Sequence, residues 1–247
     1  MSTNKTNKLI EQSVNVAQRC QRNYDLSKSI PNNDLDTIIH AARNAPTKQN
    51  ENHFSIYVCT NQEIINKIYN QTKLFLLMDD DKSDYFGEKD GIFWQKESYS
   101  VNNSQVLANA VLIYFEDIKN LRCGTHIQAT RETSELSESR KILNEQVNYS
   151  IGISVGQAIL ASAMLGYKTG ICSAFHKKEV AEILETEKEA KLCVGIGFEN
   201  KEIDRRYHSK TRNLEVPEKF RNGNLDGKWR FPSFDKTTSV NLNGKEI

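Results

Sequence analysis

Hydrophobic and polar positions alternate with different periods along this chain, and the longest coherent apolar stretch runs from Ile151 to Phe175, IGISVGQAILASAMLGYKTGICSAF. Between Val155 and Leu165 small and apolar side chains, among them Gly156, Ala158, Ala161, Ser162 and Ala163, cover more than one helical face. That pattern predicts a helix buried on most sides. Gly166 gives a stop, and Thr169 to Ala174 reads as a short extended segment with exposed amides running into Phe175. A buried helix that feeds a small-residue loop can cradle a flat ligand.

Upstream, Leu9, Ile10, Val14 and Ala17 recur at helical spacing, which predicts a first amphipathic helix over Lys8–Cys20. It ends in Arg19-Cys20-Gln21-Arg22, where the helix dipole alone would favour cations. The stretch IPNNDLDTIIHAARNAP puts Leu35, Ile38, Ile39 and Ala42 on one face, with Asn32 or Asn33 as cap and Pro46 as stop. His53–Cys59 alternates as a strand, and Thr60 or Asn61 caps a helix through Ile64, Ile65, Ile68 and Tyr69. Asn102–Ala110 reads as a short helix feeding Val111-Leu112-Ile113-Tyr114-Phe115, a continuous apolar strand of the kind buried on both faces. Lys177–Leu184 predicts another helix with Val180, Ile183 and Leu184 inward, and Ala190–Phe198 a second buried strand. The expectation is a central sheet with helices on each side, in one domain spanning 1–247.

Three regions break the pattern. Asp79–Ser100, DDDKSDYFGEKDGIFWQKESYS, is polar and acidic with scattered aromatics, a lid or a surface excursion. Glu116–Gln146 is charged and reads as mixed loop and helix. Beyond Glu199 a basic run, Asp204 to Arg212, precedes a tail with Trp229, Phe231 and Phe234, too aromatic to be a disordered end. We read 213–247 as a C-terminal arm that packs against something, another subunit included.

Composition narrows the function classes. A net charge of +1, with 38% hydrophobic and 26% charged residues, gives no sign of a membrane span or a nucleic-acid polycation. Five widely spaced cysteines, Cys20, Cys59, Cys123, Cys172 and Cys193, in a chain opening with polar MSTNKTNK, read as reduced thiols of a cytoplasmic protein. Metal binding is not expected: Cys123 and His126 lack a second pair, and the aspartates at 79–81 lack the spacing of a calcium loop. Gly195 and Gly197 sit inside a strand rather than in a strand-to-helix G-x-G-x-x-G, so a Rossmann reading fails.

Taken in order, these segments resemble the flavin-dependent nitroreductase family. Its R-R-S-x-R-x-F segment is matched by Gln18-Arg19-Cys20-Gln21-Arg22-Asn23-Tyr24, and its A-P-S-x-x-N loop by Ala45-Pro46-Thr47-Lys48-Gln49-Asn50. An Asn-initiated segment follows at Asn102, with Gln105 where some relatives carry a basic residue. Then come the small-residue helix, the Leu165-Gly166-Tyr167 turn, the G-x-G-F strand end and Lys210-Thr211-Arg212. The resemblance covers roughly 8–212. Gln18, Cys20 and Asn52-His53-Phe54 depart from the family pattern.

What the resemblance implies is an α+β fold with a mostly antiparallel or mixed sheet, and a homodimer with a long central helix, an extended C-terminal arm and FMN at the subunit interface. FMN carries a phosphate dianion and a ring system that is anionic when reduced, so its site needs cations at both ends. The matched positions assign Arg19 and Arg212 to the phosphate, with Gln18 and Cys20 beside them, and Arg22 with Lys210 to the phosphate or the N1/O2 edge. Thr47, Asn50, Asn102 and Gln105 are neutral partners for ribityl or pyrimidine groups. Cys172, Ser173 and Ala174 bring a backbone N–H near N5, with Cys172 packing rather than reacting. No side chain is expected to be catalytic: hydride passes from NAD(P)H through the flavin to a nitroaromatic, quinone or similar acceptor by ping-pong exchange. A reductive dehalogenase or flavin-fragmenting relative, and a flavin-binding protein without turnover, are the alternatives.

Overall fold

The protein is described by a computed structural model, covering residues 3–72, 74–77, 87–89, 92–94, 98–118, 121, 136–202, 241–242 and 245–246. In chain order these form α1 (Thr3–Ala17), α2 (Asn32–Arg43), β1 (Phe54–Cys59), α3 (Gln62–Asn70), β2 (Leu74–Leu77), β3 (Gly87–Lys89), β4 (Ile92–Trp94) and β5 (Ser98–Val101). There follow β6 (Ala110–Glu116), α4 (Leu136–Met164), β7 (Lys168–Cys172), α5 (Lys177–Ile183), β8 (Ala190–Gly197), β9 (Asn241–Leu242) and β10 (Lys245–Glu246).

The centre is an antiparallel sheet in the order β1-β6-β8-β7. Strand β6 is buried along its apolar length, and the strand period divides its side chains between two cores. Val111, Ile113 and Phe115 face Ile65, Ile68 and Tyr69 of α3 and Val180 and Ala181 of α5. Leu112 and Tyr114 face Ile38 and Ala42 of α2 and Val147, Ile151, Val155 and Ala158 of α4. Each fully buried aliphatic side chain stabilises the fold by about 1.5–3 kcal/mol, so this strand anchors both layers.

Several boundaries differ from expectation, each for a local reason. Helix α1 spans Thr3–Ala17 and ends earlier, because the chain turns to run along the sheet and the Gln21 N–H donates to Thr169 O at 2.7 Å. Its Leu9, Ile10 and Val14 are exposed instead of inward. Helix α2 begins behind Pro31, whose carbonyl accepts from Asp34 and Leu35, and neither asparagine makes a side-chain cap. The expected cap of α3 is present: Asn61 Oδ1 accepts from the Glu63 N–H at 2.8 Å. Asn102–Ala110 contains only a single tight turn, Ser104–Val106. Asn103 Oδ1 takes the Gln105 N–H, and the Asn102 and Asn109 amides tie the segment to the carbonyls of Thr72 and Lys28, which holds it out of a longer helix.

Helix α4 is the largest departure, running 29 residues back into the stretch read as mixed. Leu143, Val147, Ile151, Val155, Ala158 and Ser162 form its buried stripe at helical spacing. The other side is open: Tyr149 is 60% exposed, Ile153 45% and Met164 48%, and among the described residues nothing lies within 4 Å of a Cβ built at Gly152 or Gly156. The helix is therefore half buried, not buried on most sides.

The 79–100 excursion carries strand structure in its described parts. Strands β2 and β5 pair from Leu74↔Val101 to Leu77↔Ser98, and β3 and β4 form a hairpin between them. Cys123, His126, Lys210, Arg212 and the aromatic residues of the tail lie outside the described residues. Among the described residues, no helix is long and apolar enough to cross a membrane, and no group of three or more His, Cys, Asp or Glu side chains gathers in a metal-binding arrangement.

Candidate functional site at the end of strand β7

Two sequence segments cross the sheet where β7 and β8 meet. Residues 20–25 run along the strand ends, with the Asp25 N–H donating to Phe198 O at 2.9 Å and the Asn200 N–H to Asn23 O at 3.1 Å. The Ser104–Val106 turn lies against them, its Ser104 Oγ donating to Arg22 O at 2.9 Å. Close approach requires glycine in the sheet: a side chain at Gly170 would collide with the Gln21 carbonyl oxygen, and one at its cross-strand partner Gly195 with that of Gln105. Tyr24 closes the junction, its hydroxyl 3.3 Å from Gly195 O and 3.4 Å from Gln105 O. Burial pushes its phenol well above the ordinary range, so it stays a neutral donor.

Polar groups far apart in sequence gather there. Gln105 Nε2 donates to Cys20 Sγ at 2.7 Å, and Asn103 Nδ2 donates both to Gln105 Oε1 at 2.8 Å and to Cys172 Sγ at 3.4 Å. Arg22 is 3% exposed, with Nη1 3.3 Å from the Cys20 carbonyl, which places a buried cation beside the same residues. A guanidinium at that depth is stable only among acceptors or anions, which makes this junction suited to a ligand's electron-rich edge. Ser173 and Ala174 are exposed and follow the last ladder pair, Cys172↔Cys193, so their amides stand outside the ladder. Burial, with Cys20 nearby, pushes the Cys172 thiol up to about 11 and keeps it protonated, which suits packing rather than nucleophilic chemistry.

The remaining residues assigned from sequence lie elsewhere or contribute differently. Gln18 and Arg19 end α1 through backbone bonds to Val14 O and Val16 O, and Arg19 is exposed. Asn102 Nδ2 donates to the carbonyls of Tyr69, Asn70 and Thr72, closing the end of α3, so its Oδ1 is the atom left for a ligand. Thr47 Oγ1 donates to Glu51 O at 2.7 Å, and exposed Asn50 has a left-handed φ of 58° next to Gln49 at 54°. Two adjacent non-glycine residues in that region cost about 1 kcal/mol or more each, a strain the loop retains. This loop leads into β1, at the opposite edge of the sheet from β7, and no hydrogen bond ties Thr47 or Asn50 to Cys20, Gln105 or Cys172 among the described residues. Asn103 was missed by sequence reasoning. Its signal was an asparagine two residues before Gln105, the spacing at which Asn caps a turn through the N–H two residues on.

Comparisons with known proteins fit this geometry. The structure is similar to a Staphylococcus epidermidis protein assigned as an NAD(P)H:FMN oxidoreductase, with a TM-score of 0.55 and 17% identity, covering 84% of this chain and 94% of the other. It is similar to an Exiguobacterium sibiricum protein assigned as a nitroreductase and solved with FMN, with a TM-score of 0.55, 19% identity and coverages of 84% and 93%. Nitroreductase A of Vibrio parahaemolyticus gives a TM-score of 0.54 at 14% identity, covering 85% and 76%. Identities this low establish the shared fold. No curated protein sequence matches the chain. Residues 16–198 match the Nitroreductase family, a span that contains α2, the whole central sheet and the Cys20–Gln105–Cys172 junction, and the chain belongs to that family.

Proposed function

We propose that the protein is an FMN-dependent oxidoreductase that takes hydride from NAD(P)H and delivers it to a small oxidised acceptor, a nitroaromatic or a quinone, the two substrates exchanging at one open face. The observation that carries this reading is the convergence of Arg22, Gln105 and the Cys172–Ala174 turn on one junction, from segments more than 60 residues apart. The donor set fits FMN. Buried Arg22 and the Gln105 amide supply a positive, donating wall for the acceptor-rich pyrimidine edge, and the exposed Ser173 and Ala174 amides supply backbone donors. Bound FMN would supply the two-electron chemistry. The protein's own part is to hold and orient: Arg22 favours negative charge next to it, and no acidic or basic side chain is needed to move a proton. Arg19, Lys210 and Arg212 are proposed for the phosphate.

The site is proposed to be completed in a homodimer. The open stripe of α4 and Leu9, Ile10 and Val14 of α1 are apolar and exposed among the described residues, the kind of surface a second copy would cover. Gly152 and Gly156 on that stripe allow close helix approach. A second copy would also bring a Thr47–Asn50 loop to each site. Among the described residues Cys20, Cys59, Cys172 and Cys193 form no disulfide, which supports the proposal of a reducing, cytoplasmic setting.

A second reading, a specialised relative with a dedicated substrate, is favoured by the roots of the 79–100 excursion. Thr72 bridges Phe175, and its Oγ1 accepts from the Asn103 N–H at 2.7 Å, so both ends of the excursion leave from the rim of the site, where it would act as a lid.

The purified protein is expected to be yellow, to release FMN on denaturation and to bleach anaerobically with NADH or NADPH. Reoxidation by a nitroaromatic or quinone supports the general reading, and reoxidation only by a narrower acceptor class the specialised one. A yellow protein that no nicotinamide reduces would be a flavin-binding protein without turnover. A colourless protein that cannot take up FMN would end all of these. Replacing Lys210 and Arg212 together by Ala is expected to weaken FMN retention.

A further inference from the structure

The backbone N–H of Gln105 can only donate, and it donates to Asn103 Oδ1 at 3.0 Å. That contact fixes which end of the Asn103 amide faces which way, so Nδ2 must point toward Gln105 Oε1 at 2.8 Å and Cys172 Sγ at 3.4 Å. With Oε1 occupied, the Gln105 side chain can present only its Nε2 on the far side, where one hydrogen goes to Cys20 Sγ at 2.7 Å. Cys172 Sγ closes the chain, 3.6 Å from Ala174 O. Asn103, Gln105 and Cys172 are 5%, 7% and 1% exposed, so water does not compete for these bonds.

We infer that Asn103 is a positioning residue that locks the Gln105 amide so that it offers the flavin site a donor and never an acceptor. The inference rests on the reading of this junction as the FMN site. Its chemical logic is simple. The N1/O2 edge of a flavin presents a ring nitrogen and a carbonyl oxygen, both acceptors, and a second Nε2 hydrogen of Gln105 remains for them. A reversed amide would set oxygen against oxygen. Where a basic residue would attract that edge by charge, this chain uses a neutral amide, and a neutral amide needs its orientation fixed by a neighbour.

Asn103→Asp keeps the Oδ1 acceptor that caps the turn, removes the donor to Gln105 and adds a negative charge, for which the neutral Asn103→Ser is the control. The carboxylate repels Oε1 and draws Nε2 toward itself, which turns the Gln105 carbonyl to the site. The expected result is FMN dissociation faster by roughly tenfold and a lower flavin midpoint potential. In a Gln105→Ala background the neutral Asn103→Ser is expected to change neither quantity, since Asn103 acts through Gln105, whereas the charge of Asn103→Asp still lowers the potential there. Asn103→Ser, which caps the turn without reaching Gln105 and carries no charge, is expected to give a smaller change in the same direction, and it serves alone if the aspartate variant does not fold. A readout free of flavin is the alkylation rate of Cys20 in the apo-protein, expected to change in Asn103→Asp as Nε2 leaves the sulfur. Unchanged FMN retention and potential in both Asn103 variants, or equal shifts from Asn103→Ser with and without Gln105, would overturn the inference. Wild-type protein that binds no FMN overturns the site reading instead, and an unchanged Cys20 rate in that flavin-free protein removes the amide lock as well.

Discussion

The two sides of helix α4 are built from similar residues and meet opposite fates. On the inner side Val147, Ile151, Val155 and Ala158 pack against α2 and the sheet and are 5% exposed or less. On the outer side Ile153 and Met164 are nearly half exposed and Tyr149 more so, with two glycines between them. Solubility of a single protomer would favour polar residues there, and α3 illustrates that economy, burying Ile65, Ile68 and Tyr69 while Gln62, Glu63, Asn66 and Lys67 supply its polar positions. An apolar side left open among the described residues is the surface proposed above for a second copy. The same reasoning applies to α1, whose Leu9, Ile10 and Val14 share that exposure.

The comparison can be broken most forcefully on the inner side. Ile151→Ala, at a position 4% exposed, is expected to lower protomer stability by about 2–5 kcal/mol, through lost burial and the cavity left behind. Ile153→Ala, two residues along, should change protomer stability by less than about 0.5 kcal/mol. Urea unfolding at a concentration where the protein is monomeric measures both. Equal losses would mean that the outer side is packed within the protomer.

On the outer side, Gly156→Leu is expected to weaken self-association, because a leucine at a close helix contact overpacks it by about 1–3 kcal/mol. Among the described residues nothing lies within 4 Å of a Cβ built at that position, so the isolated chain should lose no stability and should gain up to about 1 kcal/mol from the better helix former. Sedimentation velocity would read the shift toward monomer, with loss of FMN following it if the site needs both copies. A variant that stays dimeric would separate the open stripe from the interface.

Much of this division was legible in the sequence, and the part that was not has a physical cause. Strand β6 was readable as a run of five apolar residues because it is buried on both faces, and β8 and β7 followed from their β-branched and small residues. The start of α4 was missed although Leu143, Val147 and Ile151 mark it at four-residue spacing, because charged residues between them mask the stripe. Outer and inner apolar positions on one helix cannot be told apart by periodicity, since both are hydrophobic and only the partner differs. At the site, Arg22, Gln105 and Cys172 were identified by their order along the chain, but a neighbour's part in orienting an amide depends on contacts between segments. Asn102 was assigned and Asn103 passed over, and the structure sends the first to the end of α3 and the second to Gln105.

The inner side also carries polar groups, and they allow a finer test. Ser154 Oγ donates to Ala42 O at 2.7 Å and lies 3.2 Å from the Tyr114 hydroxyl, joining α4 to α2 and β6. Ser154→Ala leaves that carbonyl and hydroxyl short of a partner and is expected to cost about 1–2 kcal/mol, measured as a lower urea midpoint with unchanged slope.

The smallest effect belongs to a pair one turn earlier, Ser150 Oγ and His53 Nδ1 at 3.0 Å, both buried. Burial holds the His53 imidazole below its ordinary value of 6.5, against the opposing pull of the Glu51 carboxylate and carbonyl. A group whose pKa is depressed by folding binds protons more tightly when unfolded. Its contribution is therefore fully present above pH 6.5 and is lost as the pH falls through the lower, folded value. Stability should decline on acidification from pH 7 toward 5, and His53→Gln, which cannot charge there, should flatten that part of the profile. The outer-side variants Ile153→Ala and Gly156→Leu carry no titrating group and should keep the wild-type slope. A His53→Gln profile parallel to wild type would show that charging of this imidazole does not couple to the packing of the inner side, and would place the acid sensitivity among the carboxylates instead.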